Sequence, residues 1–202
     1  FYNYFPSGTS FFSIPFVYGA LVLGKDMVQS KDNLDTQVFI SVVLCMAVYA
    51  LFYGICRCLL PPSSSFLIAF VSFLGSSLMS TMASALWSIN FAVFFETLVL
   101  FILVRRSVGV DLRLNPYLLG VLLFSAFFCR PTAAIFIVFV LAYVWLKERK
   151  IFLHLCATMI VLLGVFIVFS LVLYDSIFPS YYWAQRVGGE FYWVSIPANL
   201  WS

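Results

Sequence analysis

Apolar runs of membrane-spanning length, separated by short polar loops, constrain this chain more than any other feature. Its residues are 64% hydrophobic and only 9% charged, and its mean hydropathy is +1.07. A soluble domain carries roughly a quarter charged residues and just under half apolar residues. One globular core cannot bury this excess, so lipid must surround most of the chain. The sequence therefore predicts an all-α integral membrane protein, a polytopic helix bundle, because helices satisfy their own backbone hydrogen bonds in lipid.

We expect about six transmembrane helices, preceded by one N-terminal helix that lies in the membrane interface. The six predicted runs end at prolines or charged residues and cover residues 38–60, 66–79, 91–104, 116–128, 131–150 and 152–174. Residues 10–24 are also apolar, but about fifteen residues fall short of the roughly twenty that a bilayer requires. We interpret this stretch as an interfacial helix on the outer face.

The sequence predicts a single transmembrane domain over residues 1–202. Residues 1–37 form an outer-face loop that contains the interfacial helix, residues 38–174 form the transmembrane bundle, and residues 175–202 form an outer-face loop rich in aromatic residues. The sequence begins at Phe1 and shows no signal-like region. We therefore expect it to be a fragment.

Basic residues predict the orientation of the bundle. Seven of the eleven Lys and Arg residues follow every second apolar run, which is the bias of cytoplasmic loops. They are Arg57, Arg105, Arg106, Arg113, Lys147, Arg149 and Lys150. If residues 10–24 crossed the membrane, Lys25 and Lys31 would become cytoplasmic and the N-terminus would change sides. We favour the first topology because the six other segments then alternate without exception.

Arg130 falls on the opposite, outer face, between two apolar runs and directly before Pro131 and Thr132. A guanidinium matches phosphate oxygens with its planar fork, and a helix start adds free N–H donors. Arg130 and Thr132 are therefore candidates for binding a lipid phosphate. The alternative is an arginine whose head group reaches the phosphates of the surrounding membrane.

Further polar and aromatic residues of the predicted outer face are candidates for substrate binding. An aromatic ring beside hydrogen-bonding groups can stack on a sugar, whereas the alternative for such residues is anchoring at the interface. Both interpretations are open for Tyr2, Tyr4, Trp87, Ser88 and Asn90. They are also open for Tyr182 and Arg186, which in the functional interpretation close over a lipid phosphate.

One carboxylate, Glu96, lies in the middle of an apolar run. A charge at the centre of a bilayer costs about 2.5–3.5 kcal/mol on insertion scales, so Glu96 is expected to face the bundle interior or to carry a proton. A functional role and a structural hydrogen bond are both open for this intramembrane carboxylate.

Motifs of soluble enzymes are missing from the sequence. His154 is the single histidine, so no His triad and no site with two His ligands can be built. We assign no metal ligand and no definite cofactor, and we leave a divalent metal open. The net charge of +3 is confined to loops, so it indicates membrane topology and not a nucleic-acid partner.

Four short motifs carry a family resemblance. They are Phe1–Ser10, Ala85–Ser88, Cys129–Thr132 and Ile177–Tyr182. In this order the chain resembles the GT-C class of membrane glycosyltransferases. Within that class it is most similar to the bacterial relatives of dolichyl-phosphate-mannose protein mannosyltransferases, and the resemblance covers nearly the whole chain.

The resemblance implies an enzyme of the bacterial inner (plasma) membrane, surrounded by membrane lipids. Such an enzyme takes a sugar from a polyprenyl-phosphate donor at the outer face and transfers it, with inversion, to a glycan, lipid or protein acceptor. In the family an acidic base lies close to an aromatic segment with Pro and Gly, so here we expect the base just upstream of Phe1. By the same likeness, Arg130 and Arg186 hold the lipid phosphate.

Two other functions remain open. A transporter or lipid flippase would use Glu96 as a coupling carboxylate, but it predicts inverted repeats and helices broken at mid-membrane, neither of which the sequence indicates. A non-catalytic membrane subunit predicts no polar cavity at the outer face. Convergence of Arg130, Trp87 and the Tyr2–Tyr4 segment on one outward cavity would favour the enzyme.

Overall fold

A computed structural model describes residues 7–109 and 115–177 of the chain. Within these ranges the protein consists of eight α-helices and contains no strand. The helices are α1 (Ser7–Val22), α2 (Ser30–Leu59), α3 (Pro62–Gly75), α4 (Ser77–Ser84), α5 (Ser88–Ser107), α6 (Pro116–Cys129), α7 (Ala133–Lys147) and α8 (Arg149–Tyr174). The predicted all-α class is confirmed.

Three helices are long and apolar enough to cross a membrane, namely α2, α5 and α8. A fourth span results if α3 and α4 count as one broken span. The helices α1, α6 and α7 are apolar but contain only 16, 14 and 15 residues. A helix of 14 residues is about 21 Å long, whereas the hydrocarbon core is about 30 Å thick. The structure thus supports three to four spans, and the expected six are not confirmed.

The beginning of α2 differs from the prediction. The helix starts at Ser30, so residues 30–37, which we predicted as the end of an outer loop, form its first turns. Asp32 lies in this first turn, where its negative charge is stabilised by the helix dipole. The side chain of Thr36 donates to the Asp32 carbonyl at 2.8 Å. Polar residues therefore extend this helix beyond its apolar run.

The predicted run over residues 66–79 is broken in the structure. The helices α3 and α4 meet at an angle of 68°. Ser76, between them, has an extended backbone, and its Oγ accepts a hydrogen bond from the Leu78 N–H at 3.4 Å. Serine in this N-cap role starts a new helix in a new direction. Our sequence-based interpretation that no apolar helix is broken is therefore wrong for this pair.

The helices α2 and α5 run in parallel. Near their starts, the Asn90 amide lies 3.4 Å from Ser41 Oγ. Farther along, a Cβ placed on Gly54 would lie 2.8 Å from the ring of Phe101. In the first contact both residues are nearer the starts of their helices, and in the second both are nearer the ends. The chain therefore runs in the same direction in α2 and α5.

The helices α6 and α8 also run in parallel. The rings of Tyr117 and His154, near their starts, are 6.0 Å apart, and those of Phe128 and Phe166 are 5.7 Å apart. At the starting end of these helices, Arg106 of α5 forms an ion pair with Glu148, which directly precedes α8. We call this end the basic end. Arg130, which follows α6, therefore lies at the opposite end of the bundle.

The helix α1 packs across this opposite end. A Cβ on Gly8 would lie 2.6 Å from the backbone nitrogen of Cys129, so only glycine permits this approach. One turn later, the Phe12 ring lies 4.8 Å from the Phe95 ring of α5. The start of α1 thus rests on α5 and α6, directly beside Arg130.

The close contact at Gly8 predicts a large effect of a small substitution. Gly8→Ala is expected to lower the free energy of unfolding by about 1–3 kcal/mol, because the added methyl group meets backbone that cannot rotate away. Gly19 lies in the same helix with nothing within 4 Å of an added Cβ. Gly19→Ala, the control, should stabilise by about 0.5–1 kcal/mol. Thermal unfolding in detergent, followed by circular dichroism, compares the two variants. Equal stabilities would contradict the packing of α1.

Candidate functional site

A cleft of about 580 Å³, lined by both polar and apolar side chains, opens between α1, α2 and the connection from α4 to α5. Its polar and aromatic lining consists of Thr9, Ser10 and Ser13 of α1, Asn33, Thr36 and Gln37 of α2, and Trp87 and Ser88 at the start of α5. None of the described residues that line the cleft is charged. The cleft therefore offers hydrogen bonds and an aromatic surface to a ligand.

Two hydroxyl groups of the cleft already donate their hydrogen to the backbone. Ser13 Oγ donates to the Thr9 carbonyl at 2.7 Å, and Thr36 Oγ1 donates to the Asp32 carbonyl at 2.8 Å. Each hydroxyl oxygen keeps its lone pairs. Both residues are buried at the base of the cleft, and these bonds fix their side chains to their own helices.

The amide groups of the cleft are also partly used. Gln37 Nε2 donates to Asn33 Oδ1 at 3.0 Å, which leaves Gln37 Oε1 as an acceptor and leaves the second hydrogen of Gln37 Nε2 and both hydrogens of Asn33 Nδ2 as donors. The hydroxyl of Thr9 is buried and has no hydrogen-bond partner among the described residues. A buried polar group without a partner is costly, and this oxygen has almost no surface that a ligand in the cleft could touch.

Trp87 and Ser88 lie in the cleft as candidate substrate-binding residues. The Trp87 side chain is 51% exposed, so its ring is accessible to a ligand. Its backbone is extended at the position that precedes α5.

Asn90, the third member of the predicted polar patch, does not line the cleft. It is fully buried, and its Nδ2 donates to the carbonyl oxygens of Met82 at 3.0 Å and Ala85 at 3.2 Å. It also lies near Ser41 of α2, while its Oδ1 has no partner among the described residues. Asn90 thus holds the α4–α5 connection in place from behind the cleft.

Arg130 lies half-exposed in the turn between α6 and α7. Its Nε donates to Thr132 Oγ1 at 3.1 Å, so the two residues that we predicted as a phosphate site are in contact. The helix α7 begins at Ala133 and not at Pro131, and Thr132 makes no side-chain cap. The Thr132 hydroxyl therefore orients the guanidinium. This hydrogen bond uses only Nε, so the two terminal nitrogens of Arg130 take no part in it.

Glu96 is half-buried in α5, and the Arg130 guanidinium acts on it electrostatically. The two groups are farther apart than Arg106 and Glu148, which form a direct ion pair. The sequence analysis treated Glu96 and Arg130 separately. Their proximity results from the packing of α5, α1 and α6, for which the sequence contains no local signal.

The cleft and Arg130 lie on two sides of α1. Gly8 touches the backbone of Cys129, directly before Arg130, and the next residue, Thr9, lines the cleft. Arg130 and Trp87 therefore flank the same helix turn, and Arg130 is not among the described residues that line the cleft. The other residues that we predicted, Tyr2, Tyr4, Tyr182 and Arg186, lie outside the described part of the chain.

The sequence analysis missed the polar residues that α1 and α2 contribute. Asn33, Thr36 and Gln37 follow the spacing of one helix face, which was the available signal. We overlooked it because we interpreted residues 25–37 as a loop. Among the described residues, no group of three or more His, Cys, Asp or Glu side chains could hold a metal ion, so we assign no metal ligands.

The fold and the cleft define the class of this protein: in its described residues it is an all-helical membrane protein with a cleft of mixed polar and apolar lining at one end of its bundle. Within this class, residues 5–186 match the DUF6427 family, a family of unknown function, and the chain belongs to it. No curated protein and no solved structure matches the chain.

Proposed function

We propose that this protein is a membrane glycosyltransferase that takes its sugar from a polyprenyl-phosphate donor. It acts at the outer face of the bacterial inner membrane and transfers the sugar to a hydroxyl group of a glycan, lipid or protein. The observation that carries this proposal is the position of the cleft beside Arg130. A cleft with an accessible indole and without charged residues in its described lining lies on one side of a turn of α1, and a guanidinium lies on the other side.

The cleft is the proposed binding site for the sugar. Sugar rings present hydroxyl groups at their edge and C–H groups on their faces. The hydroxyl and amide groups of α1 and α2 match the edge, and the ring of Trp87 matches a face. A volume of about 580 Å³ lies within the usual range of ligand sites and accommodates a monosaccharide.

Arg130 is the proposed ligand of the phosphate. Its guanidinium forms a charge-assisted pair with phosphate oxygens, and Thr132 keeps it oriented. During transfer the bond between the sugar and the phosphate breaks, and negative charge grows on the leaving phosphate. A cation held beside that phosphate stabilises the charge.

The acceptor hydroxyl must lose a proton during the reaction. None of the described residues of the cleft titrates near neutral pH. We therefore place the base in another part of the protein, as the family resemblance implies. Arg186 and Tyr182, which the same resemblance assigns to the donor, remain part of the proposal.

Binding of a glycolipid donor tests the proposal. The chain, in phosphatidylcholine nanodiscs, should bind polyprenyl-phosphate hexose about tenfold more tightly than polyprenyl phosphate, because only the former fills the cleft. Trp87→Ala should remove most of this preference. Trp145, at the basic end, is 45% exposed and provides a matched control. Trp145→Ala should keep the preference. Displacement of a fluorescent polyprenyl phosphate measures the affinities of all these proteins.

Two results would contradict the proposal. One is equal affinity for the two lipids in the unmodified chain. The other is a cysteine at position 130 that reagents reach from the cytosol only, since the proposed donor lies at the outer face. Release of free polyprenyl phosphate on addition of an acceptor would extend the result from binding to transfer.

A transporter or lipid flippase is the second candidate. The 68° bend between α3 and α4 favours it, because transporters use broken helices, and Glu96 supplies an intramembrane carboxylate. A transporter would move the glycolipid between leaflets and leave the bond between sugar and phosphate intact. A non-catalytic subunit is less favoured, since it predicts no polar cleft.

A further inference from the structure

We infer that the groove between α5 and α7 holds the isoprenoid chain of a polyprenyl phosphate whose phosphate is bound by Arg130. The inference deepens the proposed function, on which it rests for the phosphate at Arg130, and assigns a site to the lipid part of the donor. It is carried by the position of this groove between Arg130 and the basic end.

An apolar groove of about 350 Å³ lies between α5 and α7. It is lined by α5 from Leu100 to Ser107 and by α7 from Phe136 to Tyr143. Among the described lining residues, only Ser107 and Tyr143 carry a polar side-chain group, and both lie in the part of the groove nearer the basic end. The rim is open to lipid, since the Phe139 side chain is 71% exposed. The groove therefore suits a hydrocarbon chain.

Arg130 lies near the other end of this groove. Glu96, on which the Arg130 guanidinium acts electrostatically, lies one helical turn before Leu100 on the same face of α5. The Ala133 N–H donates to the Arg130 carbonyl at 3.0 Å, so Arg130 directly precedes the first turn of α7. Both helices run from there to the basic end. A phosphate bound by Arg130 therefore places the start of its chain at the entrance of the groove.

The depth of the groove favours a polyprenyl chain over the acyl chain of a phospholipid. The helix α5 is long and apolar enough to cross a membrane, and Leu100 lies twelve residues, or about 18 Å, after its start. Half of the hydrocarbon core is about 15 Å thick. The groove therefore lies in the leaflet at the basic end, and a chain that starts at Arg130 must cross the middle of the bilayer to fill it. A polyprenyl chain is longer than one leaflet, whereas the acyl chains of a phospholipid end near the middle.

Two short prenyl phosphates measure how far a bound chain extends. Tyr143 lies thirteen residues after Arg130, which corresponds to about 20 Å along α7. With C–C bonds of about 1.5 Å, an extended chain of four isoprene units is about 20 Å long, and one of two units is about 10 Å long. Geranylgeranyl phosphate therefore reaches the far end of the groove, whereas geranyl phosphate ends near Phe136. The two probes carry the same phosphate and no sugar.

Tryptophan substitutions at the two ends of the groove test this assignment. Leu100→Trp, at the end near Arg130, should weaken binding of both probes about fivefold, because the indole fills the groove where each chain enters. Ser107→Trp, at the far end, should weaken binding of geranylgeranyl phosphate about fivefold and leave geranyl phosphate unchanged. The measurement is displacement of a fluorescent polyprenyl phosphate from the protein in phosphatidylcholine nanodiscs.

Val138 of α7 provides the matched control. Its side chain is 64% exposed and does not line the groove, so Val138→Trp should bind both probes like the unmodified chain. Equal affinities of Ser107→Trp and Val138→Trp for geranylgeranyl phosphate would overturn the inference, because bulk lipid then fills the groove. Equal losses of the two probes in Ser107→Trp would also contradict it, since the shorter chain does not reach residue 107.

Photo-cross-linking in the unmodified chain provides a test without any substitution. Geranylgeranyl phosphate with a diazirine at the end of its chain should label the segments Leu100–Ser107 and Phe136–Tyr143, as located by mass spectrometry of peptides. The exposed faces of α2 and α8 should be labelled no more than by a diazirine phosphatidylcholine. Equal labelling of all these helices would remove the chain from the groove.

The probes also separate this inference from the proposed function. Loss of geranylgeranyl phosphate binding in Ser107→Trp, without any preference of the protein for polyprenyl-phosphate hexose, would support the groove and overturn the proposed sugar donor. A clear preference for the hexose, without an effect of Ser107→Trp, would retain the donor and overturn the groove.

Discussion

Asn90→Ala is expected to lower the free energy of unfolding by about 2–4 kcal/mol, the largest effect on stability that the structure predicts. The amide of Asn90 is fully buried and donates to the carbonyl oxygens of Met82 and Ala85. Alanine leaves both acceptors without a partner. An unsatisfied buried acceptor costs about 1–3 kcal/mol, and the cavity left by the amide adds to this cost.

Thermal or denaturant unfolding of the purified protein measures this effect. Asn33 is an exposed asparagine that also takes part in a side-chain hydrogen bond. Asn33→Ala is therefore a matched control and should change stability by no more than about 0.5 kcal/mol. If Asn90→Ala is as stable as Asn33→Ala, Asn90 does not anchor the connection between α4 and α5.

Asn90 also illustrates what the sequence could and could not predict. The polar residues Trp87, Ser88 and Asn90 were recognised because they interrupt apolar runs. Trp87 and Ser88 line the cleft, whereas Asn90 is buried. Which of them is buried depends on how α5 is rotated about its axis. That rotation is set by packing against Ser41 of α2, which is distant in the sequence.

Helix ends were predicted less well than helix interiors. Apolar residues decide the interior of a helix in lipid, so the runs that became α2, α5 and α8 were visible in the sequence. Hydrogen bonds decide the ends. The polar start of α2 and the serine cap at Ser76 depend on local hydrogen bonds, which the hydrophobicity of the sequence does not indicate.

The candidate site was predicted in part for a related reason. Arg130 and Thr132 are near neighbours in the chain, so the sequence analysis could group them as one candidate site, and their side chains are in contact. The cleft lies where α1 meets α2, and Glu96 comes near Arg130 where α1 crosses α5 and α6. The spacing of the α2 residues marks one helix face, but a single sequence does not show which helix that face meets.

Arg130→Ala is expected to weaken binding of polyprenyl phosphate about thirtyfold, because a charge-assisted hydrogen-bonding partner of the phosphate is removed. The measurement is displacement of a fluorescent polyprenyl phosphate from the protein in phosphatidylcholine nanodiscs. Arg57 is exposed at the end of α2 and donates to the Leu60 carbonyl. Arg57→Ala, the control, should leave the affinity unchanged.

Substitution of Glu96 tests whether the loss of phosphate binding is specific to Arg130. Because its carboxylate competes with a bound phosphate for the guanidinium, Glu96→Gln should tighten binding about fivefold in the otherwise unmodified chain. In the Arg130→Ala background the same substitution should have little effect, since the guanidinium that both anions share is gone. An arginine that only anchors the protein to bulk lipid would behave like Arg57 and show no coupling to Glu96. Equal affinities of Arg130→Ala and Arg57→Ala, or additive effects in the double variant, would remove Arg130 from the donor site.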